Sequence, residues 1–299
     1  MTTQFLQQKV LHLGKELEKK NPKIVGEYLI TTKKEGWWVT IPYIVGQGWQ
    51  NPLSGAMREI PSLTWVGEYL NKNFRKPKES CFLIAEAIIP DLTFEKLNGV
   101  LNRSVGSCWC TDVVFQLHDI IALAGSKLAS LTALERYNTL QSIDFSCVRK
   151  HFTVLPILEA SVFNLDLWTR RFEQELNKDE EGIVMKQAGS IYAFGKRNST
   201  LLKLKMECEK DLRCSRLEES IGVRGNKGYT LVSKGLNGVE VRTVVNNHEE
   251  QGKLYQLYQA GELANHVVKV RAMRELEDGN LKEPVYVGLR EDKDIKDID

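Results

Sequence analysis

Cysteine is scarce: the six in 299 residues (Cys81, Cys108, Cys110, Cys147, Cys208 and Cys214) are too scattered for a disulfide scaffold and form no CxxC knuckle of a structural zinc site. The one close spacing, Cys108-Trp109-Cys110, reads better as two buried thiols than as a metal site. Histidine is scarcer still, and the five (His12, His118, His151, His248, His266) include no HExxH and no pair at ligand spacing, which excludes zinc hydrolysis. A serine or cysteine nucleophile elbow is missing too. No apolar run approaches the roughly 18 to 20 residues of a membrane span, and the polar, lysine-bearing N-terminal segment lacks a signal peptide's apolar stretch. A soluble protein of the cytoplasm, the host's if viral, with no membrane partner, is expected. Charge of one sign is also lacking, since 41 basic against 39 acidic side chains leave +2. Nucleic acid could therefore be met only by a local basic patch. The chemistry is left to lysines and carboxylates.

What is present is a sequence of short β-prone runs interrupted by a few helices. Leu6, Val10, Leu13 and Leu17 fall at helical spacing before Asn21-Pro22, which predicts an amphipathic N-terminal helix. Residues 28–45 are rich in Ile, Val, Thr, Trp and Tyr and read as strands. Gly46-Gln47-Gly48 lacks the third glycine and the helix of a dinucleotide fingerprint. Helices are expected over 60–70, over 128–140 with Leu131, Leu134, Tyr137 and Leu140 on one face, and over 163–176. Strands are expected over 81–89, 113–123, 183–185, 191–194 and 201–204. From about residue 207 the chain turns to short strands separated by glycines (Gly222, Gly225, Gly228, Gly235, Gly238, Gly279) with one helix near 249–263, the content of a small OB-type barrel.

Five strings carry chemistry, in fixed order: Lys33-Lys34-Glu35-Gly36, Phe82-Leu83-Ile84-Ala85-Glu86, Glu181-Gly182-Ile183-Val184-Met185-Lys186, Leu201-Leu202-Lys203-Leu204-Lys205 and Arg290-Glu291-Asp292-Lys293. Lys33-x-Glu35-Gly36 and Lys203-x-Lys205 are weak alone, but in this order the strings resemble the covalent nucleotidyltransferases, most closely the small viral and bacteriophage ATP-dependent DNA ligases, and residues 181–186 followed by 201–205 are the specific part. The resemblance spans nearly everything after residue 25, including Asp278-Gly279-Asn280-Leu281-Lys282-Glu283-Pro284. It implies an α+β chain. An ATP-grasp-like nucleotidyltransferase (adenylation) domain of antiparallel sheets with flanking helices would occupy 1–206, and a C-terminal OB-fold β-barrel 207–299.

The resemblance also implies roles. Lys33 would attack the α-phosphate of ATP and carry AMP, with Glu35 beside it in the motif. Glu181, and Glu35 with it, would hold Mg²⁺ or Mn²⁺. Glu86 would contact the ribose, and Lys203 and Lys205 the phosphates. Thr31, Arg58 and His118 would complete the ATP site, while Arg290, Asp292 and Lys293 would orient the leaving pyrophosphate. The partner would be nicked duplex DNA in replication, repair or recombination, and a monomer is expected. An NAD-dependent ligase would need a further nucleotide-recognition domain ahead of the lysine, so ATP is the expected cofactor.

Elementary chemistry agrees with these roles. A free lysine amine, pKa about 10.4, is almost wholly protonated at neutral pH, so a nucleophilic lysine must be activated. Each like charge at roughly 5 Å costs the ammonium on the order of 3 kcal/mol at an effective dielectric near 20, and Lys186, Lys203 and Lys205 are the expected neighbours. The same cations would stabilise charge building on the phosphate. Residues 1–80 carry 12 Lys/Arg against 7 Asp/Glu, a local basic excess near Lys33 where a nick would dock.

Some positions depart from the family's pattern. Glu35 stands for the usual aspartate, Trp38 for an arginine that grips the 5′-phosphate, and Gly55 for part of a Ser-Arg pair, whose contact is either missing or taken over by Arg58. Trp37-Trp38 is either core or an aromatic platform. His118 replaces the adenine-stacking aromatic and either stacks or sits in the core. Lys34 is a decoy, expected to point away from Lys33 by strand alternation. An RNA ligase, a capping-type nucleotidyltransferase, or a degenerate nucleic-acid-binding protein of the same fold are the alternatives.

Overall fold

The computed structural model describes residues 7–20, 22–90, 92, 94–101, 110–122, 127–221, 227–276 and 278–298. Leu6, Cys108, Trp109, Gly222 and Gly225 lie outside the described residues. The chain divides into two compact units, Met1–Lys205 and Met206–Asp299.

In the first unit, β1 (Lys9–His12) and α1 (Leu13–Leu17) precede β2 (Glu27–Lys33), β3 (Trp37–Ile44), β4 (Gly48–Trp49) and β5 (Leu53–Ser54). Then come α2 (Trp65–Asn73), β6 (Cys81–Ile88), α3 (Phe94–Leu101), β7 (Val114–Ile121), α4 (Ala133–Gln141) and β8 (Phe152–Val154). The unit ends with β9 (Ile157–Val162), α5 (Leu165–Leu176), β10 (Gly182–Gln187) and β11 (Arg197–Lys205). One sheet has the order β1-β11-β10-β2-β9 and the other β4-β3-β6-β7-β8, with β5 beside β3.

Alternation divides each strand between core and cavity, because successive side chains point to opposite faces. Tyr28, Ile30, Ile183, Met185 and Leu202 pack on Trp168 of α5. The intervening Leu29, Thr31, Lys33, Val184, Lys186, Leu201 and Lys203 line a cavity of about 280 Å³. In the second sheet Val39, Ile41, Leu83, Ala85, Phe115 and Leu117 form a core with Val66 and Leu70 of α2. Trp38, Glu86 and Gln116 face the cavity instead. This is a mixed α+β architecture of sheets with few helices, as the sequence predicts.

Three local expectations need correction. Val10 belongs to β1, paired in parallel with β11, and helix begins only at Leu13, capped by Gly14 N–H donating to His12 Nδ1 at 3.2 Å. A free sheet edge captures the segment, and tertiary pairing overrides its helical spacing. Residues 191–194 form a turn held by one isolated bridge, Thr132 to Ile191, not a strand. The buried face of α4 is Ala133, Arg136 and Leu140, whereas Leu134 is exposed. That face contains a charged residue, so an apolar pattern could not reveal it.

The second unit comprises β12 (Cys208–Ile221), β13 (Lys227–Lys234), β14 (Glu240–Val245), α6 (His248–Gln259), β15 (Val267–Ala272), β16 (Arg274–Glu275), β17 (Leu281–Lys282) and β18 (Val285–Leu289). Its main sheet is ordered β14-β13-β12-β15-β18. The first half of β12 pairs with β15 and the second with β13, across a register break between Cys214 and Arg216 that lets the strand bend. Leu212, Leu231, Val241, Val268, Val270 and Leu254 of α6 fill its core. Among the described residues no helix is long and apolar enough to cross a membrane.

Candidate active site

The cavity of the first unit is built on three rows of residues across β2, β10 and β11. Gly182 pairs with Lys33 on one side and Lys205 on the other, Val184 with Thr31 and Lys203, and Lys186 with Leu29 and Leu201. Lys33 therefore enters as the last residue of β2, and Glu181, directly before β10, reaches it as an ion-pair partner. The motif glycines set this approach. Gly182 has φ +143°, and a Cβ there would collide with the Leu204 carbonyl and press on Phe172. A Cβ on Gly36 would stand 2.7 Å from Ile88 Cγ2 and 2.8 Å from the Ala87 carbonyl, so the turn after Lys33 closes against β6 only without a side chain.

Lys33 also feels Glu86, which projects from β6 into the same cavity. Burial pushes the Glu86 carboxyl up to about 8; Lys33 opposes this and Glu181 reinforces it. Lys34 does not point away as alternation predicted. The strand ends at Lys33, Lys34 lines the cavity as well, and it pairs with Glu180 as Lys33 does with Glu181.

A second cluster surrounds Asp119. A bulge in the pairing of β6 and β7 places Ile84 opposite Asp119 and Ala85 opposite Leu117, with His118 as the extra residue. The bulge shifts the alternation: Phe115, Leu117 and Ile120 face the core, while Gln116, His118 and Asp119 reach the cavity. Asp119 is buried and takes a two-pronged bond from Arg136, Nε to Oδ1 at 2.7 Å and Nη2 to Oδ2 at 3.2 Å. Lys186 donates to the same carboxylate at 2.6 Å and to the His118 carbonyl at 3.1 Å. Burial raises the Asp119 carboxyl, but Lys186 and Arg136 outweigh it and hold it down at about 2. Burial and then Lys186 drive the His118 imidazole down to about 4, so it presents a neutral ring at physiological pH. Lys186 is thus committed to Asp119 and is not the expected activator of Lys33.

Of the residues singled out in the sequence, Thr31, Lys33, Glu86, His118 and Lys203 line one cavity, with Glu181 on Lys33. Lys205 shares the Lys203 face of β11 without lining the cavity, and Glu35 sits in the turn after β2. Arg58 is exposed in the turn after β5 and does not reach the cavity. The two tryptophans divide: Trp37 packs on the core and Trp38 faces the cavity. Gly55 lies next to Trp38, since a Cβ on it would be 2.9 Å from Gln7 Oε1 and 3.8 Å from Trp38 Cε3. Arg290, Asp292 and Lys293 belong to the second unit. There Arg290 forks onto Asp211 at 2.9 and 3.0 Å and onto Asp292 at 2.8 Å, and Lys293 joins Asp211 at 2.8 Å.

Sequence reasoning missed Gln7, Gln8, Gln116, Arg136 and Tyr192. The first two fall where the spacing predicts an amphipathic helix, yet Gln8 donates its backbone N–H to Tyr192 Oη at 3.0 Å in the cavity wall. Arg136 and Gln116 offered a signal only as polar residues interrupting apolar runs.

A family model described as ATP dependent DNA ligase domain matches residues 59–205. No curated protein sequence matches the chain. Among solved structures, Pmar-Lig_PreS3 aligns with a TM-score of 0.72 at 17% identity, covering 96% of this chain and 68% of that one. A structure from a structure–function analysis of Lig E DNA ligases gives 0.66 at 14% identity, covering 95% and 98%. The ATP-dependent DNA ligase of bacteriophage T7, in complex with ATP, gives 0.54 at 17%, covering 96% and 99%. At these identities the structural likeness is one of fold. Residues 59–205 thus match an ATP dependent DNA ligase domain, and the fold of the chain is like that of solved DNA ligases.

Proposed function

We propose that this protein seals 5′-phosphate/3′-hydroxyl nicks in duplex DNA through a lysyl-AMP on Lys33 and an adenylated DNA intermediate. The observation that carries this is the placement of Lys33, paired with Glu181 and projecting into one cavity with Glu86, His118 and Lys203. The Lys33 ammonium must lose a proton before its lone pair can act, and the Glu181 carboxylate is the hydrogen-bonded acceptor for it. Lys33 Nζ then attacks the α-phosphorus of ATP, a P–N bond forms, and the P–O bond to pyrophosphate breaks. Next a 5′-phosphate oxygen displaces Lys33, and finally the 3′-hydroxyl displaces AMP. Lys203 and Lys205 supply positive charge to the phosphates, Glu86 holds the ribose, and His118 offers the base an uncharged face.

The residues present fit a divalent ion that arrives largely with its substrate. Among the described residues no group of three His, Cys, Asp or Glu could hold a metal, whereas Mg²⁺ with phosphate ligands needs only one or two protein carboxylates. Glu181 is the first, and Glu35 in the adjoining turn the second. Bound there, the ion would neutralise charge on the phosphate oxygens. The unit Met206–Asp299 is read as the OB-type domain, with Arg290, Asp292 and Lys293 as the group that orients pyrophosphate. Nicked duplex DNA is the partner and the protein acts as a monomer. Binding to DNA phosphates should weaken steeply with salt.

The test uses purified protein with Mg²⁺ or Mn²⁺ and α-labelled ATP. An acid-stable covalent label is expected, lost completely in Lys33→Ala while a cooperative melt is retained. No label with ATP, or label only with GTP, overturns the reading. Nicked duplexes with DNA or RNA on either side of the break then separate DNA from RNA sealing; joining confined to RNA ends would move the assignment to RNA repair.

A further inference from the structure

Glu86 and Gln116 are directly opposed on β6 and β7, and Trp38 is opposed to Glu86 on β3, so the three form one row across the second sheet. All three line the cavity. Gln116 Oε1 is buried there and accepts no hydrogen bond from the protein. A buried acceptor without a donor is costly, and such atoms are as a rule completed by a ligand or an ordered water; lining an open cavity, this one is within reach of a ligand. The cavity lysines Lys33 and Lys186 are engaged elsewhere, Lys33 with Glu181 and Lys186 with Asp119 and the His118 carbonyl. The donors that ATP brings to a cavity are its ribose hydroxyls and the amino group of adenine. Side chains directly opposed on neighbouring strands stand about 5 Å apart at Cβ, a spacing from which two acceptors can converge on vicinal hydroxyls.

Building on the ligase reading, we infer that Gln116 is a specificity-determining residue that accepts a hydrogen bond from one ribose hydroxyl of ATP while Glu86 takes the other, so that the enzyme selects ribonucleoside over deoxyribonucleoside triphosphate. Sites built to bond a hydroxyl reject analogues that lack it, because the site's own polar group is then left unpaired.

The experiment measures self-adenylation by the full chain with α-labelled ATP, 2′-deoxy-ATP and 3′-deoxy-ATP, for the parent, Gln116→Met and Gln116→Glu. The parent should use at least one deoxynucleotide about tenfold less well than ATP. Gln116→Met, of similar volume but without the acceptor, should lose about tenfold with ATP and nothing further with that analogue, so discrimination collapses. Gln116→Glu keeps an acceptor and should keep the discrimination. Equal use of all three nucleotides by the parent overturns the inference. So does a Gln116→Met loss that is the same for all three, which would point to packing or to the adenine amino group. Should Gln116→Met fail to fold, the parent's analogue series and Gln116→Glu still decide. Absence of label with ATP in the parent would instead sink the ligase reading.

Discussion

The cavity holds two charged clusters of opposite stoichiometry. In one, a single cation, Lys33, faces two carboxylates, Glu181 and Glu86; in the other, a single carboxylate, Asp119, is shared by two cations, Lys186 and Arg136. Glu86 and Asp119 sit on adjacent strands, and burial pushes both upward, yet one ends at about 8 and the other at about 2. Burial alone therefore does not set the ionisation of these groups; the local count of cations does. The Asp119 cluster is complete in itself, with both carboxylate oxygens bonded and Arg136 also bound to the Leu131 carbonyl at 2.9 Å. In the Lys33 cluster the raised Glu86 carboxyl favours its protonated form, so Glu181 alone balances Lys33, and an arriving phosphate-bound cation would draw out the charge on Glu86.

The largest effect should come from breaking the complete cluster. Asp119→Ala leaves Arg136 and Lys186 without their shared counter-charge, and removing one partner of a buried ionic network costs about 3–5 kcal/mol. Urea melts should show it. Lys33→Ala, though it abolishes the label, should cost less, because it leaves one carboxylate, Glu181 at 9% exposure, without its cation, whereas Asp119→Ala strands two cations. A loss for Asp119→Ala no larger than that for Lys33→Ala would erase the distinction between the clusters.

The two clusters also differ in how far they could be read beforehand. The Lys33 cluster comes from short contiguous strings, where the glycines at 36 and 182 and the strand ends put Lys33, Glu181 and Glu86 together. The Asp119 cluster depends on a bulge at His118 and on an arginine on the buried face of α4, neither of which leaves a periodic trace. Alternation over β2, β10 and β11 was legible because one face is greasy. The N-terminal strand was not, because pairing with the edge of β11, and not its own spacing, decides its conformation. Lys34 was misplaced for a similar reason: alternation holds inside a strand, and β2 ends one residue earlier.

A smaller effect, with a definite sign, follows from pH. The Glu86 carboxyl is raised from 4.5 to about 8 in the fold, so the folded state favours its protonated form. Stability contributed by that proton is present at low pH and is lost as pH rises from about 4.5 through about 8. Asp119 behaves oppositely: its depressed value stabilises the fold above the ordinary 3.8 and is lost as pH falls toward about 2. Glu86→Gln should therefore match the parent in melting temperature below pH 4.5 and exceed it increasingly up to pH 8, with a plateau beyond. At roughly 2–4 °C per kcal/mol for a domain of this size, a gain of several degrees is expected. A constant difference across that range would mean that the Glu86 environment is not the one described.

The smallest effect should come from the lysine next door. Lys34 and Glu180 form an ion pair one residue removed from Lys33 and Glu181, with both side chains 20% exposed, and such partly solvated pairs contribute about 0–1 kcal/mol. Lys34→Ala should accordingly lower stability by no more than about 1 kcal/mol and leave covalent labelling by ATP intact. The reason is positional. Lys33 is fixed by its register against Gly182 within the sheet, whereas Lys34 lies beyond the strand end, where no ladder holds its backbone against β10. Equal loss of label in Lys34→Ala and Lys33→Ala would show that the two adjacent lysines act as a unit, and that the register of β2 does not select the nucleophile.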